Sequence, residues 1–363
     1  MLIIACISSH GYGHGARVAA LLGAVHRQQP DCRFLLSTAL APAFLAQVFQ
    51  GVPFEQRHCR WDVGVVQADA LGSDPEATLL ALEKLERQLP ALLDREADYL
   101  RPLLESHPGP ALVLGDVPPA AALLAQRLGL PLIWQANFGW DAIYAEMGLA
   151  FRPWAEHCAQ LYGRGQAVIS CPFSLPMPWG IPRWEVGLSC GQPALGEAQL
   201  REKLCLSHPR ERTALLSFGG LGVQLDPALL AHWPHWHFLV TDPSLAARAN
   251  ASLIPKCLRP LDVMPLCSRV LTKPGYSTFC EALSQGLGLI VVARQGFAEA
   301  AVLQAGLLSH GWHRLLPRQA FLAGDWQLDQ PLEPPLGRPL AQGGESQGAA
   351  LLLAQLQSYG REN

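Results

Sequence analysis

The chain opens on its most constraining feature. The unbroken apolar run Leu2-Ile3-Ile4-Ala5-Cys6-Ile7 leads into Ser8-Ser9-His10-Gly11-Tyr12-Gly13-His14-Gly15, and a periodic apolar stretch over Ala16–Val25 follows. A short run without polar alternation suits a strand buried on both faces, and the 3.6-residue period after it predicts a helix. Strand, Gly-rich turn and helix are the opening unit of a parallel α/β sheet. The pattern recurs. Arg33–Ser37, Ala111–Leu114 (ending at Gly115-Asp116), Leu132–Gln135 and Ala167–Ser170 predict strands, the last closing a first domain; Pro42–Phe49 and Pro119–Leu128 predict helices. Asp74-Pro75-Glu76 supplies an N-cap and a first-turn proline, while Pro90 and Pro102 in the run behind it predict a kink or two helices.

Prolines crowd the next segment at Pro172, Pro176, Pro178, Pro182 and Pro193, a composition that resists helix and sheet alike and reads as a linker. After it the alternation restarts. Thr213–Phe218 runs into Gly219-Gly220-Leu221-Gly222, His237–Val240 follows, and Val270–Thr272 runs into Lys273-Pro274-Gly275-Tyr276-Ser277-Thr278. A helix over Thr278–Gln285 and a strand over Leu287–Val292 come next, and Ala349–Leu356 predicts a closing helix. The expected organisation is a first Rossmann-like domain over 1–175, a linker over 176–196, a second Rossmann-like domain over 197–340 and a C-terminal helix within 341–363. A chain of 363 residues, half of them hydrophobic, can bury two such cores.

Charged residues are 16% of the chain and the net charge is −3, with no basic run, so nucleic acid is not an expected partner. The ten cysteines are widely spaced and form no zinc-like cluster; reduced thiols, and with them a cytoplasmic setting, are expected. Leu2–Ile7 is too short for a signal-peptide core and no run is long enough to span a membrane.

Three Gly-rich turns can carry chemistry. Gly11, Gly13 and Ala16 fit a dinucleotide fingerprint, but the second strand ends Leu36-Ser37-Thr38 without the acid that would hold a ribose, which counts against a nicotinamide enzyme. His14 on that turn suits removal of a proton from an acceptor hydroxyl, with Asp116 at another strand end to fix its tautomer. The same residues also admit a reading as caps, or for His14 as a phosphate contact. Gly219 and Gly220 offer backbone amides to a phosphate. In the third turn, Gly275, Ser277 and Thr278 stand at a helix start where a diphosphate can sit, and Glu281 lies one turn further on, placed for ribose hydroxyls. An N-cap serine and a surface glutamate are the plainer alternative.

The segment Leu261–Leu283, ending Lys-Pro-Gly-Tyr-Ser-Thr-x-x-Glu-Ala-Leu, resembles the donor-binding segment of GT-B glycosyltransferases of the lipid II GlcNAc-transferase and galactolipid synthase type. The nearer resemblance is to the glycosyltransferase-like N-terminal domain of plant L-arabinokinases and its stand-alone bacterial relatives. It is carried by Ile7–His14, Asp62–Leu71, Gly115–Pro118, Asn137–Glu146, Ser217–Gly220, Gly275–Leu283 and Gly343–Glu345, in that order along the chain. It implies an α/β GT-B fold of two Rossmann-like domains facing a central cleft. It also implies a nucleotide-sugar donor, UDP-linked, as co-substrate without a cofactor, and inverting transfer without a metal; the sequence offers no Asp-x-Asp site. Gly219, Gly220, Gly275, Tyr276, Ser277, Thr278 and Glu281 then hold the donor diphosphate and ribose, with Lys273 adding charge. His14 with Asp116 supplies the base, and Arg294, Gln295 and Glu299 read the donor sugar. Gly11, Gly13, Asn137, Trp140, Asp141 and Tyr144 lie on the side of an unidentified small-molecule or lipid-linked acceptor. Trp134 is expected in the core, and Asp62, Gln67 and Asp69 have no assigned role. A sugar kinase is not expected. A nucleotide-sugar epimerase or hydrolase, and a non-catalytic nucleotide-sugar-binding protein, are the alternatives on the same fold.

Overall fold

A computed structural model describes residues 1–67, 72–219, 225–293 and 298–362. The chain divides into two compact units, one of Met1–Ala68, Ser73–Ser189 and Ala341–Asn363, the other built on Cys190–Leu340.

The first unit contains strands β1 (Leu2–Ile7), β2 (Arg33–Ser37), β3 (Glu55–Arg57), β4 (Ala111–Asp116), β5 (Leu132–Ala136), β6 (Ala167–Ser170) and β7 (Arg183–Glu185). They form one sheet in the order β3-β2-β1-β4-β5-β6-β7, with every pair parallel. Its helices are α1 (Tyr12–Gln28), α2 (Pro42–Val48), α3 (Pro75–Glu105), α4 (Ala121–Leu128), α5 (Trp140–Ala145) and α6 (Arg152–Tyr162). All six residues of β1 are buried, as its uninterrupted apolar run requires for a central strand with helices on both faces.

In the second unit, β8 (Thr213–Leu216), β9 (His237–Val240), β10 (Ala251–Leu253), β11 (Arg269–Thr272), β12 (Gly288–Val292) and β13 (His313–Leu316) form a parallel sheet in the order β10-β9-β8-β11-β12-β13. Helices α7 (Glu197–Lys203), α8 (Pro260–Val263), α9 (Tyr276–Ser284), α10 (Ala298–His310) and α11 (Arg318–Leu322) accompany it. The last helix, α12 (Gly344–Glu362), returns to the first unit, where Ala349, Leu352, Leu353 and Leu356 join the core of Leu21, Leu22, Val25 and Ile169.

Several elements differ from their sequence-based expectations. The first helix starts at Tyr12 rather than Ala16, which puts His14 inside its first turn. Helix α3 runs unbroken through Pro90 and Pro102; both prolines are exposed, so the carbonyls they leave unpaired can be solvated. Ala167–Ser170 is not the last strand of its sheet. The Pro-rich segment contributes β7, whose short stretch Arg183–Glu185 lies between prolines at the sheet edge, the place in a sheet where a missing N–H is tolerated. Trp134 is fully buried as expected, and a Cβ on Gly115 or Gly165 would collide with its indole. All ten cysteines are free and only Cys205 and Cys257 are exposed.

Candidate functional site

Each sheet has a point where the strand order reverses, between β1 and β4 in the first unit and between β8 and β11 in the second. Beyond the carboxyl ends of the strands at such a point, the connecting loops diverge and leave a crevice in which α/β proteins bind ligands. The first Gly-rich turn and Asp116 fall at one of these places, and Gly219 and the third Gly-rich turn at the other.

In the first unit Ile7 is paired in register with Asp116, and the Ser8 amide donates to the Asp116 carbonyl at 2.9 Å. This adjacency brings together residues about a hundred positions apart. His14 Nδ1 lies 2.8 Å from Asp116 Oδ1. Arg17, one turn along α1, holds both oxygens of the same carboxylate, with Nε 2.8 Å from Oδ2 and Nη2 2.7 Å from Oδ1. Arg17 Nη1 also donates to Asn137 Oδ1. The cluster is dry: relative exposure is 8% for His14, 3% for Arg17 and 0% for Asp116. Burial alone would raise the Asp116 carboxyl, but the Arg17 guanidinium and the His14 hydrogen bond outweigh it and hold Asp116 below the usual carboxylate range. An ionised Asp116 can only accept, so His14 Nδ1 carries a hydrogen, and the neutral tautomer this selects has its lone pair on Nε2.

Aromatic rings surround the imidazole. Phe138 meets it edge-on at 5.8 Å between centroids and Trp140 lies at 6.4 Å. The His10 ring packs edge-on against Trp140 at 5.2 Å. Trp140 is fully buried and donates its indole N–H to Asp62 Oδ2 at 2.8 Å, which gives Asp62 a structural contact that the sequence did not disclose. Burial pushes the Asp62 carboxyl up, against the opposing effects of Ser8, Trp140 and His14. Tyr144 is buried and donates to the Gly64 carbonyl at 3.0 Å, and Asp141 accepts the Trp179 indole N–H at 2.9 Å. Among the residues assigned to the acceptor side, then, Asn137, Trp140, Asp141 and Tyr144 are all buried and tied to neighbours, whereas Gly11 and Gly13 are not buried. Gln67 forms an isolated bridge with Ser73, and Asp69 lies outside the described residues.

The turn after Asp116 is strained. Val117 has φ 52°, a left-handed conformation that a β-branched residue adopts at a cost of about 1–3 kcal/mol. Its carbonyl accepts the Tyr162 hydroxyl at 2.6 Å, and that oxygen in turn accepts the Trp140 amide at 3.0 Å. The strained turn is thus clamped to α5 and α6.

At the second reversal point the Ser217 amide donates to the Leu271 carbonyl at 3.0 Å, so the turns after β8 and β11 leave adjacent strand ends. Gly219 has φ 74°, and a Cβ there would meet the Lys273 side chain at 3.9 Å. Gly275 is the N-cap of α9, with extended backbone and no side-chain cap. Tyr276 is buried; Ser277, Thr278 and Glu281 are half-buried. Burial pushes the Glu281 carboxyl up to about 7, with Arg259 opposing and Asp262 reinforcing the rise. Glu299 is buried in the first turn of α10. Gly220, Arg294 and Gln295 lie outside the described residues.

Arg17 is the site residue that sequence reasoning missed. The available signal was its position three residues after His14, which puts both on one helix face. Among the described residues no group of three or more His, Cys, Asp or Glu is placed to hold a metal ion. No helix among them is long and apolar enough to cross a membrane.

No family model matches the chain. It is 27% identical over 330 residues to an L-arabinokinase of Arabidopsis thaliana, a match that covers 88% of this chain and 31% of the relative, so the chain spans about a third of that protein. Among solved structures it is similar to UGT89C1 of Arabidopsis thaliana in complex with UDP-L-rhamnose, with TM-score 0.62 and 13% identity over 98% of both chains. UGT71G1 of Medicago truncatula in complex with UDP-glucose gives TM-score 0.58 and 12% identity, covering 98% of this chain and 94% of that one. The spinosyn forosaminyltransferase SpnP gives TM-score 0.58 and 14% identity, covering 98% and 95%. The two parallel sheets and their helices are those of the GT-B fold.

Proposed function

We propose that this chain is a glycosyltransferase that moves a sugar from a nucleoside-diphosphate sugar, UDP-linked, to a hydroxyl acceptor, with inversion and without a metal or cofactor. The observation that carries the reading is the 2.8 Å contact between His14 and Asp116 at the sheet reversal point. It selects the tautomer whose Nε2 lone pair points away from Asp116, in a buried, aromatic setting, which is the arrangement a general base needs. The UDP-sugar complexes among the structural neighbours support the donor class.

In this mechanism the acceptor oxygen attacks the anomeric carbon as His14 Nε2 takes its proton. The bond from that carbon to the diphosphate oxygen breaks on the opposite face, and the electron pair leaves with the nucleoside diphosphate. The amides at the start of α9, the Gly219 turn, Lys273 and the Ser277 and Thr278 hydroxyls meet the charge that develops there; stabilising charge of this kind is usually the largest catalytic term. Glu281 accepts from the ribose hydroxyls, and Glu299, with Arg294 and Gln295, reads the sugar. Gly11 and Gly13 border the acceptor, while the buried Trp140, Asp141 and Tyr144 shape the wall behind it.

A thermal-shift screen of nucleotides and nucleotide-sugars on the unchanged protein and on Glu281→Ala tests the reading. A ligand at a hundred times its dissociation constant stabilises by about 2.7 kcal/mol. The expected result is a shift with uridine diphosphates that Glu281→Ala loses. No shift with any nucleoside diphosphate or nucleotide-sugar would sink the proposal.

A further inference from the structure

Arg17 takes no part in the proposed transfer step, yet it is the main partner of Asp116. Its fork occupies both carboxylate oxygens, its Nη2 stands 3.5 Å from His14 Nδ1, and its remaining nitrogen is fixed on Asn137. Two positively polarised donors, one from His14 and one from Arg17, therefore share Asp116 Oδ1 at 2.8 and 2.7 Å.

We propose that Arg17 is a positioning residue that takes up the charge of Asp116, so that the carboxylate fixes the tautomer of His14 without drawing a second proton onto Nε2. A buried carboxylate alone beside an imidazole favours imidazolium, in which Nε2 has no lone pair to receive a substrate proton. A guanidinium held on the same carboxylate at the same distance opposes that pull, and the low-dielectric surroundings strengthen both effects together. What remains of Asp116 for His14 is its direction, as a hydrogen-bond acceptor.

Among the described residues, the other charged or titratable groups near His14 do not supply this balance. Asp62, on the loop after β3, is buried with one oxygen on the Trp140 indole, and burial disfavours its charged form. Arg60 on the same loop acts on Asp62. His10, on the turn before α1, packs on Trp140. The inference depends on the proposed glycosyltransferase for its catalytic meaning, but its test does not.

The test is an NMR titration of the 15N-labelled His14 imidazole in four proteins: unchanged, Arg17→Met, Asp116→Asn, and the double variant. Asparagine keeps an oxygen for Nδ1–H to meet. Arg17→Met is expected to move the midpoint up by about one unit or more, a tenfold change or greater in proton affinity, and Asp116→Asn to move it down. In the double variant, with both charges gone, the midpoint returns to within about half a unit of the unchanged protein, as a compensated pair requires. A folded Arg17→Met with an unmoved midpoint overturns the proposal. Should Arg17→Met fail to fold, the double variant, which buries no unpaired charge, decides: a midpoint displaced by about a unit or more overturns it. UDP thermal shifts on the unchanged protein separate the two ideas. Loss of nucleotide binding removes the transferase reading, whereas the charge balance stands or falls on the titrations.

Discussion

At the end of β1 and β4 the molecule places side chains: His14, Arg17, Asp116 and Asn137, buried and bonded to one another. At the end of β8 and β11, the equivalent point of the other sheet, it places backbone: Gly219 in a left-handed turn, Gly275 as an uncapped helix start, and half-buried hydroxyls behind it. The topology is shared and the chemistry is not. A buried ion network fixes one imidazole with one tautomer, as proton transfer demands. In the proposed reading, backbone amides and a helix N-terminus offer several weaker contacts to an anion without a buried charge that would need a permanent partner. One region is expected to be sensitive in both stability and rate, the other mainly in binding.

The sharpest way to break that contrast is Asp116→Ala. It leaves the Arg17 guanidinium buried without its carboxylate and should cost about 3–5 kcal/mol in urea denaturation; a loss under 1 kcal/mol would show that the network is not structural. In the same region His14→Ala should lower turnover by about 10²–10⁴-fold while the thermal shift with UDP persists. If turnover and nucleotide binding disappear together, the division of labour between the two regions is wrong. Tyr162→Phe removes the hydroxyl that ties Val117 to Trp140 and should destabilise by about 1–2 kcal/mol, less than Asp116→Ala but measurable in the same denaturation series. On the other side of the comparison, Ser277→Ala should leave stability within about 0.5 kcal/mol and weaken nucleotide binding.

The smallest effect expected is a pH dependence at Glu281. Burial raises its carboxyl from the ordinary 4.5 to about 7. Between those values the folded protein keeps a proton that the unfolded chain has lost, so this contribution to stability is full below pH 4.5 and falls as pH rises to about 7. With Glu281 in its proposed role, ribose hydroxyls would donate to the ionised form, so UDP affinity measured by calorimetry should improve as pH passes about 7, and Glu281→Gln should flatten that difference.

Much of this was legible in the chain. The run Leu2–Ile7 and the turns at Gly11, Gly219 and Gly275 announced central strands that break into ligand-facing loops, because an apolar run without alternation has to be buried on both faces. His14 and Asp116 were readable as candidates since one lies on the Gly-rich turn after such a run and the other at the end of one. Arg17 was not, because an arginine on a helix is ordinarily a solvated residue and only the carboxylate arriving from β4 makes it otherwise. The aromatic-polar group Asn137, Trp140, Asp141 and Tyr144 is assigned from the sequence to the acceptor side, yet its members are buried; sequence spacing does not say which face of a six-residue helix meets α6.

The sequence by itself determined the local steps: where strands end, where glycine opens a turn, and that two α/β alternations stand on either side of a Pro-rich stretch. These follow from propensities and periodicities acting over some ten residues. The tertiary structure decided which strands are neighbours, that the Pro-rich stretch would still yield β7, and that α12 would pack on the first core. It also decided that Asp116 serves His14 and Arg17 at once. Those outcomes depend on burying apolar surface and pairing charges between segments up to hundreds of residues apart, and no local pattern encodes that balance.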